Sequence, residues 1–183
     1  YQRAKNVSDT NAFGTLENLY QSGKEWFLQS TLSYPLKETN FRILVGGERC
    51  LQPYSMSVFN ISAMSFGSLS AAAIEALNQG AKLGGFAHDT GEGAISPYHK
   101  KHGGDLIWEL GSGYFGCRTG DGGFDPEKFA KVAFEPQIKM IEIKISQGAK
   151  PGHGGILPAR KVTEEISKIR GVEMGKDVLS PPA

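Results

Sequence analysis

The clearest pattern in the chain runs from Met140 to Ser146. Ile141, Ile143 and Ile145 alternate with Met140, Glu142, Lys144 and Ser146, the period-two signature of a strand. Gly148, Gly152, Gly154 and Gly155 then crowd around Lys150 and Pro151, which predicts an irregular loop at the strand's C-terminal end. Two readings of the strand are open. It is half-exposed with a polar outer face, or it is a barrel strand whose isoleucines face helices while Glu142 and Lys144 point into a ligand-holding lumen. Charges are rarely left buried unpaired, so a charged strand face needs an explanation either way.

Other segments fall into the same alternation of strand and helix. Phe41, Ile43 and Val45 alternate and meet Gly46–Gly47, a strand running into the turn of an antiparallel flap. Val58 to Met64 reads as the first core strand. Ser65–Ser68 follows as a tight loop, and Leu69, Ala73, Leu77 and Gly80 mark one face of a helix ending at Gly84–Gly85. Phe86 to His88 reads as a second strand. Asp125 caps a helix with Pro126 in its first turn, with Phe129, Val132 and Ala133 facing inward and Pro136 as the stop. Ile141 to Ile145 is the third strand. Thr163 is the expected N-cap of a last helix, with Glu164 and Glu165 in its first turn and Gly171 at its end. Val178 and Leu179 run into Pro181–Pro182. Ahead of all this, Tyr1 to Thr10 is polar and arm-like, Leu16, Leu19 and Tyr20 have helical spacing, and Trp26, Phe27 and Leu28 form an apolar knot. The rhythm is that of a parallel α/β sheet.

Composition narrows the class. The 183 residues suit one ordinary domain, and 39% hydrophobic and 21% charged residues fit a soluble globular protein. A net charge of +1 gives no electrostatic footprint for nucleic acid. No apolar run approaches the ~20 residues that span a bilayer, and no signal-peptide pattern opens the chain. A cytoplasmic location is therefore expected, with Cys50 and Cys117 as two buried structural thiols rather than a disulfide. Because the first residue is Tyr1, a missing or processed N-terminus is expected as well. Glycine is the outlier: twelve of the 24 fall between Gly84 and Gly123. That stretch is expected to be a long excursion of turns, packed through Trp108, Tyr114 and Phe115, and loops of such length are usually functional. His88, His99 and His102 have no partner at metal-ligand spacing and are read as structural or solvated, so no metal site is expected.

Four blocks carry a resemblance. They are S-A-M-S-F-G-S-L-S-A at Ser62–Ala71, H-D-T-G-E-G-A at His88–Ala94, E-I-K-I-S-Q-G-A-K-P-G-H-G-G at Glu142–Gly155, and L-S-P-P at Leu179–Pro182. Together and in this order they resemble the FMN-binding synthase domain of the glutamate synthase family. The wording A-H-D-T-G-E-G-A-I-S-P-Y-H is similar to the family's small stand-alone branch. The match covers roughly Cys50 to the end, about the first third of such a domain. The fold it implies is a partial (β/α)8 barrel of TIM type, with about three strands over residues 56–183 behind an N-terminal arm and flap at 1–55; a complete barrel takes roughly 250 residues.

The resemblance also implies a chemistry. 2-Oxoglutarate and ammonia would form a 2-imino acid, which reduced FMN converts to glutamate. By position in the motifs, Lys144, Lys150 and Arg170 would hold the substrate carboxylates, and Glu92 would lie beside the imino nitrogen, so Glu92, Lys144 and Lys150 form the expected catalytic set. Arg170 suits a bidentate grip, although an exposed cation in the last turn of a helix is equally at home there. Met64, Ser65, Thr90 and Gln147 would line the flavin. Glu142 shares the face of Lys144, about 6.6 Å along at ~3.3 Å per residue. His153 and Ile156 depart from the Glu and Gln of the larger enzymes, which puts the keto acid itself in question. The family's iron–sulfur cysteines and its flavin-phosphate site belong to a later part of the domain, so the 183 residues alone are expected to bind FMN weakly. A reduced imine derived from an alkylamine is an alternative substrate, and a non-catalytic barrel fragment that needs a complementary chain is the rival reading. Electron donor, ammonia source and subunit number are left open.

Overall fold

The computed structural model describes residues 41–145, 147 and 154–181, together with Gln21–Gly23, Glu25, Leu28, Thr31, Leu32 and Pro35. The chain divides into two compact units, Tyr1–Thr39 and Asn40–Ala183. In the first, Leu28 and Leu32 are exposed. The arm at Tyr1–Thr10, the helical spacing at Leu16–Tyr20 and the knot residues Trp26 and Phe27 lie outside the described residues.

The second unit opens with an antiparallel hairpin, β1 (Arg42–Val45) and β2 (Tyr54–Ser57), paired from Arg42↔Ser57 to Val45↔Tyr54. This is the expected flap. Gly46 takes φ +112 at its turn, and a Cβ there would come within 2.9 Å of Cys50 Sγ. Cys117 is buried as expected, but Cys50 is exposed on this turn.

A three-stranded parallel sheet follows, in the order β3 (His88–Asp89), β4 (Leu106–Leu110), β5 (Ile138–Ile143). Three of its features correct the sequence reading. The glycine-rich stretch between Gly84 and Gly123 is not an excursion of turns throughout: it contains β4, with Leu106, Ile107, Trp108 and Glu109 all buried. Consequently the second and third expected strands are not neighbours, because β4 separates them. The segment Val58–Met64 is not a regular strand either. It touches the sheet through one parallel bridge, Ile61↔His88. Ile61 N–H donates to Ala87 O and Asp89 N–H to Ile61 O, but the next donor to Asp89 O is Met64. That extra residue breaks the ladder in the manner of a bulge, and Val58 is left exposed.

The helices match their sequence signals closely. α1 (Ala71–Gly84) is capped by Ser70, whose hydroxyl accepts from Ala73 N–H, and ends on left-handed Gly85. α2 (Pro97–Lys100) is a single turn capped by Ser96. α3 (Pro126–Ala133) carries Asp125 as N-cap, accepting from Glu127 and Lys128 N–H, and crosses from β4 to β5. Its Phe129 stacks on Trp108 with centroids 5.4 Å apart. α4 (Glu164–Arg170) is capped by Thr163 and closed by Gly171 at φ +65. A short antiparallel pair, β6 (Gly155–Leu157) and β7 (Val178–Ser180), packs beside it. Phe66, Ile74, Phe115, Leu157, Ile166 and Val178 share one core cluster; a fully buried side chain such as Ile74 or Phe115 contributes about 2–3 kcal/mol.

The fold class is therefore α/β with a parallel sheet. Among the described residues the sheet does not close into a barrel. Its two faces are nonetheless distinct. Pairing of Asp89 with Ile107 and of Glu109 with Glu142 puts Asp89, Glu109, Glu142 and Lys144 on one face, since neighbouring strand residues point the same way. Trp108 and Ile141 take the other. Ile143 and Ile145, expected against helices, are 71% and 73% exposed; no described helix reaches that part of the edge strand.

Candidate functional site

Three segments converge at the C-terminal ends of the parallel strands. The first is Met64–Ser65, beside the end of β3. Met64 N–H donates to Asp89 O at 3.2 Å, and Met64 O accepts from His99 Nε2 at 3.0 Å. His99 Nδ1 in turn takes Ser96 N–H at 3.1 Å, which assigns the proton to Nε2. The second segment is the loop after β3. Gly91 adopts φ +65, and a Cβ there would lie 2.7 Å from Ser65 N, so the two backbones meet at a distance only glycine permits. The third is Lys144 and Gln147 beyond β5.

Glu92 is the hub. Gln147 Nε2 donates to both of its carboxylate oxygens, at 3.1 and 3.0 Å. Lys144 Nζ lies 3.7 Å from Glu92 Oε1 and 3.6 Å from Glu109 Oε1. Gly111 and Gly155 flank the carboxylate: a Cβ on either would fall 2.7 and 2.9 Å from its oxygens. Of the residues expected from the sequence, Glu92, Lys144 and Gln147 are thus brought together by direct contacts. Lys150 lies outside the described residues, as does His153.

Arg170 sits apart from the innocent location considered for it, an exposed last turn. It is only 5% exposed. Its Nη2 donates to Phe66 O at 2.9 Å, its guanidinium lies 5.4 Å from the centre of the Phe115 ring, and its Nε has no hydrogen-bond partner in the structure. Burial lowers its pKa from the ordinary value, opposed by the charge of Glu92. Thr90 is fully buried. Its hydroxyl donates to Gly91 O and accepts Glu109 N–H, both at 3.1 Å, so it ties the β3 loop to β4. Ser65 Oγ donates to Ser68 Oγ at 3.0 Å.

Two functional-looking residues were not singled out from the sequence. Asp89 and Glu109 are 4% and 3% exposed, and with Glu142 they bring carboxylate oxygens within 4.8 Å of one another. Burial first, then the like charges of Glu109 and Glu142, push Asp89 up to about 7, although Gly91 N–H holds its Oδ1 at 2.8 Å. Burial also raises Glu109, and Lys144 pulls it back. The signal for Glu109 was present, a lone acid inside the apolar run Leu106–Leu110, but glycines on either side disguised the strand. Behind the sheet, His88 is fully buried with both ring nitrogens unpartnered and lies 5.3 Å from His99; desolvation, then His99, lower it to about 4. A groove lined by Arg42, Tyr54, Asp105, Glu135 and Met140 opens at the opposite ends of the strands and holds none of the residues around Glu92.

Comparison with known proteins now bears on the same residues. The family model described as the conserved region in glutamate synthase matches residues 17–183. The chain belongs to the glutamate synthase family. It is 44% identical over 140 residues to the glutamate synthase large subunit-like protein YerD of Bacillus subtilis, covering 75% of this chain and 26% of that protein. It is 42% identical over 120 residues to the archaeal glutamate synthase [NADPH] of Archaeoglobus fulgidus, covering 66% and 21%. A glutamate synthase large subunit-like protein of Rhizobium meliloti is 28% identical over 180 residues, 95% of this chain and 38% of its own length. The chain spans about a quarter of the length of the first two relatives. No described helix is long and apolar enough to cross a membrane.

Proposed function

We propose that this chain supplies the first strands of an FMN-dependent, glutamate synthase-like oxidoreductase barrel that reduces a 2-imino acid, formed from 2-oxoglutarate and ammonia, to L-glutamate. The observation that carries the reading is the convergence of Glu92, Lys144 and Gln147 at the C-terminal ends of parallel strands, where barrel enzymes hold their sites. A dicarboxylic keto acid needs cations. Lys144 offers an ammonium, Arg170 a buried guanidinium whose Nε is unpartnered, and Lys150 would be a further cation by its position in the motif. Glu92, held by Gln147, would carry a proton to the substrate nitrogen.

The residues available fit a flavin. Gln147 presents amide donor and acceptor groups, Ser65 a hydroxyl and Met64 an apolar flank, a mixture that suits the edge and face of an isoalloxazine ring. Thr90 acts on that wall by bracing Gly91 against β4. When bound, FMN would supply the hydride, and the reduction consumes one proton per imine. The protein's share of the work is orientation, charge and that proton. An imine formed from an alkylamine presents the same carboxylates, and the amine is distinguished by assay.

The test is turnover by the full-length protein with reduced flavin, monitored as flavin reoxidation on addition of 2-oxoglutarate with ammonia or a short alkylamine. Reoxidation that needs both keto acid and amine, with Lys144→Gln raising KM for the keto acid at least tenfold, is the expected result. Absence of any amine-dependent reoxidation would overturn the reading.

A further inference from the structure

Glu109 lies in the middle of the sheet, where a leucine would cost nothing and an unpaired carboxylate costs several kcal/mol. Its position is fixed, because its backbone N–H donates to Thr90 Oγ1 at 3.1 Å. Its Oε1 is buried and accepts no hydrogen bond in the structure. The nearest cation among the described residues is Lys144, at 3.6 Å. Lys144 is a flexible four-carbon stem with 26% of its side chain exposed, and Glu92 stands 3.7 Å away on its other side. With Glu92 as sole counter-charge, the ammonium would close onto it and neutralise the group placed to hold the substrate proton.

The other charged groups on this face settle where the negative charge resides. Asp89 comes from β3, Glu109 from β4, and Glu142 and Lys144 from β5 and its end, with Glu92 above them. Among the described residues four carboxyls crowd one ammonium, so a shared proton relieves them. Asp89 has Glu109 and Glu142 for neighbours and no cation, whereas Glu109 sets Lys144 against Glu142 and Glu92, so of the two Asp89 holds a proton more readily.

We infer that Glu109 is a positioning residue: its buried carboxylate holds the Lys144 ammonium between β4 and Glu92, so that the cation faces an incoming carboxylate without closing onto Glu92. The consequence for turnover rests on the function proposed above; the placement of Lys144 does not.

Competitive acylation tests the placement without turnover. Full-length protein is treated with trace acetic anhydride at pH 8, and Lys144 labelling is measured by mass spectrometry relative to exposed Lys82. With Glu109 gone the ammonium closes onto Glu92, where a tight ion pair shields it from the reagent, so Glu109→Gln should lower the Lys144:Lys82 ratio at least threefold. Glu109→Asp, which keeps the charge, should recover at least half of that change. In the proposed reaction Glu109→Gln should raise KM for the keto acid about fivefold and lower kcat less than threefold. Should Glu109→Gln fold poorly, the double variant with Lys144→Met decides. With no ammonium to hold, Glu109→Gln removes an unpaired buried charge and should stabilise that background. An unchanged labelling ratio in folded Glu109→Gln, or equal destabilisation in both backgrounds, would overturn the inference. Labelling that moves as expected in a protein that turns over no keto acid would leave the positioning intact and sink the proposed function instead.

Discussion

Replacing Asp89 by Asn should stabilise the protein at pH 8 and leave it unchanged near pH 4. Asp89 is 4% exposed, and burial with two carboxyl neighbours pushes it up to about 7. An unfolded chain releases the same proton near 3.9. Between these values the native state binds more protons than the unfolded state, so stability falls as pH rises, by roughly 1.4 kcal/mol per pH unit. Below pH 4 both states are protonated and Asp89 costs nothing; above 7 the whole penalty is present, on the order of 4 kcal/mol. Asn reproduces the neutral acid. Its oxygen can still accept Gly91 N–H, now at 2.8 Å, and its amide can donate toward Glu142 in place of the acid proton.

His88 works in the opposite direction. Its native pKa is lowered to about 4 against about 6.5 in the unfolded chain, so the unfolded state binds more protons over that window and stability rises with pH. From pH 4 to 6.5 the two slopes are nearly equal and opposite, and together they leave the wild-type profile flat. Asp89→Asn should expose the histidine slope, giving a variant whose stability climbs from pH 4 to 6.5 and then levels. Urea unfolding of full-length protein at half-unit intervals from pH 4 to 8 measures both curves. A stability difference independent of pH, or a variant less stable than wild type at pH 8, would show that the native fold does not raise Asp89 above its unfolded value.

Two further substitutions probe the site and its support. Gly111→Ala would put a Cβ 2.7 Å from Glu92 Oε2 and 3.0 Å from Glu92 Cβ; misplacement on this scale costs about a hundredfold in rate, so kcat/KM should fall ten- to hundredfold while the unfolding curve changes little. Phe129→Ala removes the ring stacked on Trp108 at 5.4 Å and should cost about 2–3 kcal/mol in urea unfolding; a loss under about 0.5 kcal/mol would mean that α3 does not pack on β4 in solution.

Most of what was legible in the sequence was local. Asp125 and Thr163 both cap the helices they precede, and Gly85 and Gly171 both end theirs in the left-handed conformation. These signals are read by the backbone within four residues and need no tertiary context. β4 was not legible for the opposite reason. Its five residues, flanked by Gly103–Gly104 and Gly111, have no polar alternation, since only Glu109 interrupts the apolar run, and a strand buried on both faces carries no period to read. Missing it also misplaced its neighbours, because β3 and β5 are held apart by the strand between them. The failure of Val58–Met64 as a strand has a different origin. Its composition suits a strand, but the hydrogen bond from Met64 rather than Ala63 to Asp89 O is a register event that composition does not encode.

The site divides along the same line. The face of β5 was readable because alternation alone separates Lys144 and Glu142 from the isoleucines, and the structure puts Lys144 beside Glu92. What alternation does not reveal is the opposing charge. Glu109 and Asp89 reach the same face from two other strands, and their proximity depends on the register Glu109↔Glu142 and Asp89↔Ile107. That register explains why a lysine tolerates this wall at all. A face with Lys144 alone would leave a half-buried cation without a partner, and one with the carboxyls alone would repel any anion. With one ammonium shared between Glu92 and Glu109, and a proton on Asp89 below about pH 7, Lys144 is the cation that the described part of this face presents at the strand ends. In the function proposed above, a ligand carboxylate would take Lys144 from Glu92 without stripping it from Glu109, and Glu92 would be free to serve the substrate nitrogen.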